Sequence, residues 1–254
     1  CVVTGASRGI GMATARMLAA EGASVLLVAR SAQRLEAAEL ECAGPGGAVA
    51  SLAVDVTDPE AAEQVMETCE ERFGKVDVLV NNAGTSEAKP LEQLTDVDWQ
   101  LQWELHVMAS MRLMRAAGAR MGDDARIVNV CSSSGKRPSL TNPAYSVTKA
   151  AQLSLSRIFA DAYARKGVLV NAVTPGPVAT GLWMDEGGLA DQVAKARGIT
   201  REEALEAAQG KIPLGRFGTE DEIAAVVTFL CSGRASNVTG AAWSVDGGAV
   251  PVIL

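Results

Sequence analysis

The chain has 254 residues, 48% of them hydrophobic and only 4% aromatic, with a formal net charge of −7. That length and composition describe a globular chain whose core is built from Ala, Val, Leu and Ile, which suits a sheet covered by helices. The acidic balance and the lack of a Lys- and Arg-rich run argue against nucleic acid or an anionic membrane as partner, and no apolar run approaches the ~20 residues that span a bilayer.

Strand-like apolar runs are predicted, in chain order, at 1–4, 24–29, 48–54, 76–80, 126–131, 168–174 and 241–245. Most are continuous rather than alternating, as parallel strands buried on both faces should be. Helical stretches separate them. The second sets Ala32, Leu35, Ala38 and Leu40 against Arg34, Glu36, Glu39 and Glu41. Thr57-Asp58-Pro59-Glu60, Thr200-x-x-Glu203 and Thr219-x-x-Glu222 read as helix starts closed by a capping box. Regular β–α repetition implies right-handed crossovers. The expected fold is α/β, a Rossmann-type doubly wound, mostly seven-stranded parallel sheet with helices on both faces, in one domain covering 1–254. The segment 181–212 breaks the alternation with roughly two extra helices and is expected to cap an active site.

The cysteines Cys1, Cys42, Cys69, Cys131 and Cys231 are scattered without a C-x-x-C pair. They point to a reduced, cytoplasmic protein with no metal site, and Cys131 reads as a small apolar residue ending a buried strand.

At the first strand–helix junction stands Thr4-Gly5-Ala6-Ser7-Arg8-Gly9-Ile10-Gly11. Gly5 can turn sharply off the strand, Gly9 lets backbone approach a pyrophosphate, and Gly11 lets helix and strand pack closely. The helix N-terminus then offers N–H groups and positive potential to phosphates. Further along come Asp55, Asn81-Asn82-Ala83-Gly84, Ser132, Tyr145-x-x-x-Lys149, Pro175-Gly176 with Thr180, and Asp246-Gly247-Gly248. With these motifs in this order over essentially its whole length, the chain resembles the short-chain dehydrogenase/reductase family, in particular its 3-oxoacyl-(acyl-carrier-protein) reductase-like members.

The resemblance implies hydride transfer between a nicotinamide cofactor and a ketone or secondary alcohol. A reductase of 3-oxoacyl thioesters or related ketones is the first expectation, and an alcohol, sugar or steroid dehydrogenase on the same frame is the alternative. A cofactor-binding protein without catalysis is a third, which the intact Ser132, Tyr145 and Lys149 oppose. The second strand ends Leu27-Val28-Ala29-Arg30-Ser31, with no carboxylate to select NAD; Arg30, with Arg8 of the glycine loop, suits the 2′-phosphate of NADP(H). Arg30 also reads as a solvated residue opening the next helix. By resemblance, Asp55 with Val56 lies at the adenine, and Asn81, Ala83 and Gly84 line the cofactor beside Ser7 and Ile10. Pro175, Gly176, Val178 and Thr180 fix the nicotinamide carboxamide, and Lys149 also binds the nicotinamide ribose.

Tyr145 and Lys149, four residues apart, share one helix face. A buried ammonium beside a phenol is expected to lower the tyrosine pKa and make it a proton donor or acceptor near neutrality. Ser132, thirteen residues before Tyr145, is chosen over Ser133 and Ser134 to bond the substrate oxygen. The family places an asparagine seven residues after Trp99, where this chain has His106. Two readings stand: a neutral imidazole relaying protons to Lys149, or a packed histidine with no catalytic part. Trp183 walls the pocket or anchors the cap. Lys136 and Arg137 attract an acidic substrate or are merely solvated. The resemblance also implies a homotetramer, or a dimer, with helices near 99–121 and 143–166 pairing across one interface and the tail 249–254 at another.

Overall fold

A computed structural model describes residues 1–44 and 46–251. Residues 252–254 of the apolar tail expected at a subunit contact lie outside the described residues. One parallel sheet contains β1 (Val2–Thr4), β2 (Val25–Ala29), β3 (Val49–Ala53), β4 (Val78–Asn81), β5 (Arg126–Val130), β6 (Leu169–Pro175) and β7 (Ala242–Val245), in the spatial order β3-β2-β1-β4-β5-β6-β7. Each expected strand forms.

The continuous apolar runs are explained by the period-2 pleat, which sends successive side chains to opposite faces. Val2, Leu26, Val28, Leu79 and Ile127 pack under α3 (Ala61–Phe73) and α5 (Ala109–Arg120). Val3, Val25, Leu27, Val80 and Val128 pack under α1 (Gly9–Ala20), α2 (Ala32–Cys42) and α11 (Glu220–Cys231). Both faces of the central strands are buried, and the protein is a three-layer α/β fold.

Local expectations fared unevenly. The capping boxes at Thr200 and Thr219 both form, starting α10 (Arg201–Gln209) and α11. The one expected at Thr57 does not. Its hydroxyl donates to Asp55 at 2.8 Å, and α3 begins only at Ala61, without a side-chain cap. On α2, Leu35, Ala38 and Cys42 face the core while Leu40 is 79% exposed, because the buried stripe of a helix runs i, i+3, i+7.

The segment after β6 carries three short helices rather than about two: α8 (Gly181–Met184), α9 (Leu189–Arg197) and α10. Gly198, in the left-handed conformation, ends α9 and separates it from α10. Val193, Ala194 and Ala204 make a small core of their own against Ala88, whose N–H donates to Gln192 Oε1 at 2.8 Å. This segment therefore leans on the loop after β4. The strand order reverses between β1 and β4, so a crevice opens at their carboxyl ends, where α/β sheets bind ligands.

Candidate active site

The glycine loop crosses that crevice. Gly5 has φ +65°, and a Cβ there would lie 2.9 Å from Ala83 Cα. A Cβ on Gly11 would press into the Gly5 carbonyl and the Asn82 amide, so α1 can approach β1 only with glycine there. The loop is pinned from β4 by two residues outside the expected set. Thr4 Oγ1 accepts the N–H groups of Asn82 and Ala83 at 2.9 and 3.0 Å, and Asn82 Nδ2 donates to the Thr4 carbonyl at 2.9 Å. Arg8 is the N-cap of α1 without a side-chain cap, which leaves the first N–H groups of the helix for an anion. The nearest atoms to a Cβ placed on Gly9 are side-chain atoms of Glu220 and Thr180 at 3.6–3.9 Å, so Gly9, unlike Gly5 and Gly11, is not crowded by backbone.

At the end of β2, Arg30 is largely exposed and stands 3.9 Å from Asp55 Oδ2. Burial works to raise the Asp55 carboxyl, but the Thr57 N–H and hydroxyl and the Arg30 charge together hold it below its ordinary range. Arg8 Nη1 bonds Asp185 Oδ2 at 2.9 Å, tying the glycine loop to the segment after β6. Val56 is buried behind Asp55. Asn81 is turned inward: its Nδ2 donates to Asn129 Oδ1 at 2.9 Å, and Asn129 Nδ2 donates to Ser156 Oγ at 3.0 Å.

Ser132 caps α6 (Ser133–Lys136) at the end of β5, its Oγ accepting the Ser134 N–H at 3.1 Å. Gly135 lets this short helix lie on α7 (Pro143–Tyr163), since a Cβ there would be 2.9 Å from the Lys149 carbonyl. Pro143 at the first turn starts α7 just before Tyr145. Lys149 is 3% exposed, its Nζ 5.7 Å from the Tyr145 ring centroid.

The expected lowering of the tyrosine pKa does not occur. Burial pushes the Tyr145 phenol up to about 12, against the pull of the Ser132 hydroxyl. The same burial brings the Lys149 ammonium down to about 8. The reason lies in where the ammonium points: to the Val130 carbonyl at 3.0 Å and Gln152 Oε1 at 2.8 Å. Burial also raises the Cys131 thiol to about 12, consistent with an inert strand-end residue.

His106 sits in a π-helical stretch, Glu104–Met108, between α4 (Asp96–Trp103) and α5. Its ring meets Tyr145 edge-on, centroids 5.3 Å apart. Thr148 Oγ1 donates to the Tyr145 carbonyl at 3.0 Å, so it receives the proton of His106 Nδ1, also at 3.0 Å. Nε2 then accepts the Thr85 N–H at 3.4 Å. Burial, and secondly the Lys149 charge, push the imidazole well below its ordinary pKa. The neutral ring has both nitrogens engaged with protein and neither left to hold a water.

Pro175 ends β6, and the Gly176 N–H donates to the Val245 carbonyl at 3.1 Å. Val178 is buried and bridges Gly218; Thr180 caps α8, its side chain facing Gly9. Trp183 packs edge-on against Phe217, centroids 5.2 Å apart, which anchors the segment at that point. Lys136 Nζ donates to the Ala242 carbonyl at 2.7 Å and Ser244 Oγ at 3.0 Å, and Arg137 Nη1 to the Ala249 carbonyl at 3.3 Å. These two cations tie α6 to the end of the chain.

Known proteins share this plan. A family model described as "Enoyl-(Acyl carrier protein) reductase" matches residues 5–250. The short-chain reductase protein NovJ of Streptomyces niveus is 35% identical over 97% of this chain and 92% of its own. The 3-oxoacyl-(acyl-carrier-protein) reductase FabG of Thermotoga maritima is 33% identical over 98% and 97%. The crystal structure of L-sorbose reductase from Gluconobacter frateurii, complexed with NADPH and L-sorbose, superposes with a TM-score of 0.89 at 36% identity, covering 99% and 96% of the two chains. A full-length family match, relatives of this identity and the doubly wound sheet agree: the chain belongs to the short-chain dehydrogenase/reductase family of oxidoreductases, which act on ketones and CH–OH groups.

Proposed function

We propose that this protein is an NADP(H)-dependent reductase of 3-oxoacyl thioesters or related ketones, with Ser132, Tyr145 and Lys149 as its catalytic group. The observation that carries this reading is their arrangement at the carboxyl end of the sheet. A phenol, a hydroxyl and a buried ammonium are brought together by β5 and α7, next to the glycine loop. A bound nicotinamide would supply or accept the hydride at the substrate carbon. Ser132 donates a hydrogen bond to the substrate oxygen where charge develops. A phenol held near 12 enters the reaction protonated, so Tyr145 is equipped to donate its proton to that oxygen, and Lys149 stabilises the phenolate left behind. His106, with no free nitrogen, holds Thr85 and Thr148 in place beside Tyr145.

The cofactor preference rests on Arg30 and Arg8. No acid ends β2 in the sequence, and both guanidiniums are exposed, each engaged among the described residues by a single aspartate. Such pairs are worth about 0–1 kcal/mol and yield readily to a phosphate. Gly5, Gly9 and Gly11, with Ser7 and Ile10 between them, take the pyrophosphate. Asp55 and Val56 take the adenine, and Ala83, Gly84 and the backbone at Asn81 line the nicotinamide half. Pro175, Gly176, Val178 and Thr180 hold the carboxamide. Residues 1–254 act as one domain, with 181–212 closing over the substrate. Exposed apolar residues on α4 and α7, among them Leu101, Val147 and Ile158, and the half-exposed Trp243 on β7 support a homotetramer, or a dimer, built on those faces.

A sugar or polyol ketone is the second reading. It is favoured by the likeness to L-sorbose reductase and by the polar side chains of Asn142, Gln102, Lys89 and Asp98, which with Leu94, Leu101, Pro143 and Ala144 line a small cavity beside Tyr145. NADPH consumption over a panel of ethyl 3-oxobutanoate, N-acetylcysteamine 3-oxoacyl thioesters and ketohexoses separates the two. Faster turnover of the thioesters supports the first reading, and turnover of ketohexoses alone moves the assignment to the second. NADPH binding without turnover on any ketone refutes both.

A further inference from the structure

We propose that Gln152 is a positioning residue for Lys149, holding its charged ammonium in place through a buried hydrogen-bond chain that ends at Ser110. This rests on the reading of Lys149 as the catalytic ammonium. Gln152 follows Lys149 by three residues on α7, on the same face, and is 1% exposed. Its Oε1 accepts from Lys149 Nζ at 2.8 Å, and its Nε2 donates to Ser110 Oγ on α5 at 2.9 Å. The direction of the amide is set by its partner, because an ammonium only donates.

The surroundings explain why an amide is needed. Tyr145 faces Lys149 from the same helix, Cys131 from the end of β5, and His106 from the π-helical stretch; Lys136 of α6 lies near Cys131. The phenol and the thiol are protonated at neutral pH and the imidazole is uncharged. Among the described residues no carboxylate pairs with Lys149. Its charge is held by two neutral dipoles, the Val130 carbonyl and the Gln152 carboxamide, against the cost of burial. Two of its three protons are thereby committed to acceptors inside the protein. An amide has no labile proton to pass on, so Gln152 holds Lys149 without conducting protons through it.

The test is a direct titration of Lys149 by NMR, with ¹³C/¹⁵N-labelled lysine and Lys149→Met to assign the signal. Losing a bond to a charged group shifts a pKa by about one unit. Gln152→Leu is expected to lower the Lys149 pKa by about one unit and Gln152→Glu to raise it by at least as much. Ser110→Ala should lower it by less. The alkaline limb of kcat for NADPH-dependent reduction of the fastest ketone of the panel should move with it, at little change in KM. If Gln152→Leu does not fold, the nearly isosteric Gln152→Glu still decides. No shift in Gln152→Glu, or shifts in the same direction for both variants, overturns the proposal. A normal rate in Lys149→Met, with the Gln152 shifts present, refutes the catalytic reading of Lys149 and leaves the positioning intact.

Discussion

Replacing His106 with asparagine is expected to flatten the acid side of the stability curve. The chain has one histidine, and burial holds its proton affinity well below the ordinary value of 6.5. Below pH 6.5 the unfolded chain therefore binds a proton that the folded chain refuses, and stability is lost as pH falls. Each pH unit below 6.5 over which the ring stays neutral costs about 1.4 kcal/mol. For a chain of this size each such unit is a fall in Tm of about 3–6 °C. The introduced asparagine has nothing to titrate, yet keeps one donor and one acceptor for Thr148 and Thr85. The assay is thermal melting by tryptophan fluorescence at pH 7.5 and 5.0, both proteins at one concentration because subunit association also shifts Tm. The expected result is a larger acid-side loss in the parent than in His106→Asn, whatever their absolute Tm values. Parallel losses would show that the folded ring takes up a proton, and the neutral, doubly bonded histidine would be wrong.

Three further outcomes follow from the site. His106→Asn should retain substantial ketone turnover, whereas Tyr145→Phe should lower kcat by about 10²–10⁴-fold with NADPH binding unchanged by fluorescence; a full rate in Tyr145→Phe would remove the proton donor from the mechanism. Arg30→Ala should raise KM for NADPH by about 5- to 30-fold and leave KM for NADH unchanged, since an exposed phosphate contact is worth about 1–2 kcal/mol net; equal effects on both cofactors would separate Arg30 from the 2′-phosphate. Gly11→Ala drives a methyl group into the Gly5 carbonyl and should destabilise the protein by about 1–3 kcal/mol while weakening NADPH binding, and an unchanged Tm would show that the loop relaxes freely.

Much of the frame was legible because burial on both faces leaves a plain mark. Val2 and Val3, or Leu26 and Leu27, enter different cores, so the whole run must be apolar. Capping boxes at Thr200 and Thr219 were legible because their partners lie three residues away. Thr57 misled because Asp55, equally close in sequence, captured its hydroxyl first. Within the site, the spacing of Tyr145 and Lys149 showed one helix face but not what the ammonium bonds. Gln152 carried a signal that could have been weighed: an amide at i+3 on the buried side of a helix needs a partner there. Thr4 and Asn82 carried less, since a threonine ending a strand and an asparagine opening a loop are ordinary in those places.

By itself the sequence determined the order and kind of the elements, the glycine loop and the shared helix face of Tyr145 and Lys149, because each depends on residues within a few positions of one another. Tertiary structure decided the electrostatics. Burial holds Tyr145 protonated and draws the Lys149 pKa down; Thr148 and Thr85 occupy both nitrogens of His106; Arg8 turns to Asp185. These outcomes depend on how far a charge stands from water and on groups brought together from distant parts of the chain, neither of which local spacing encodes.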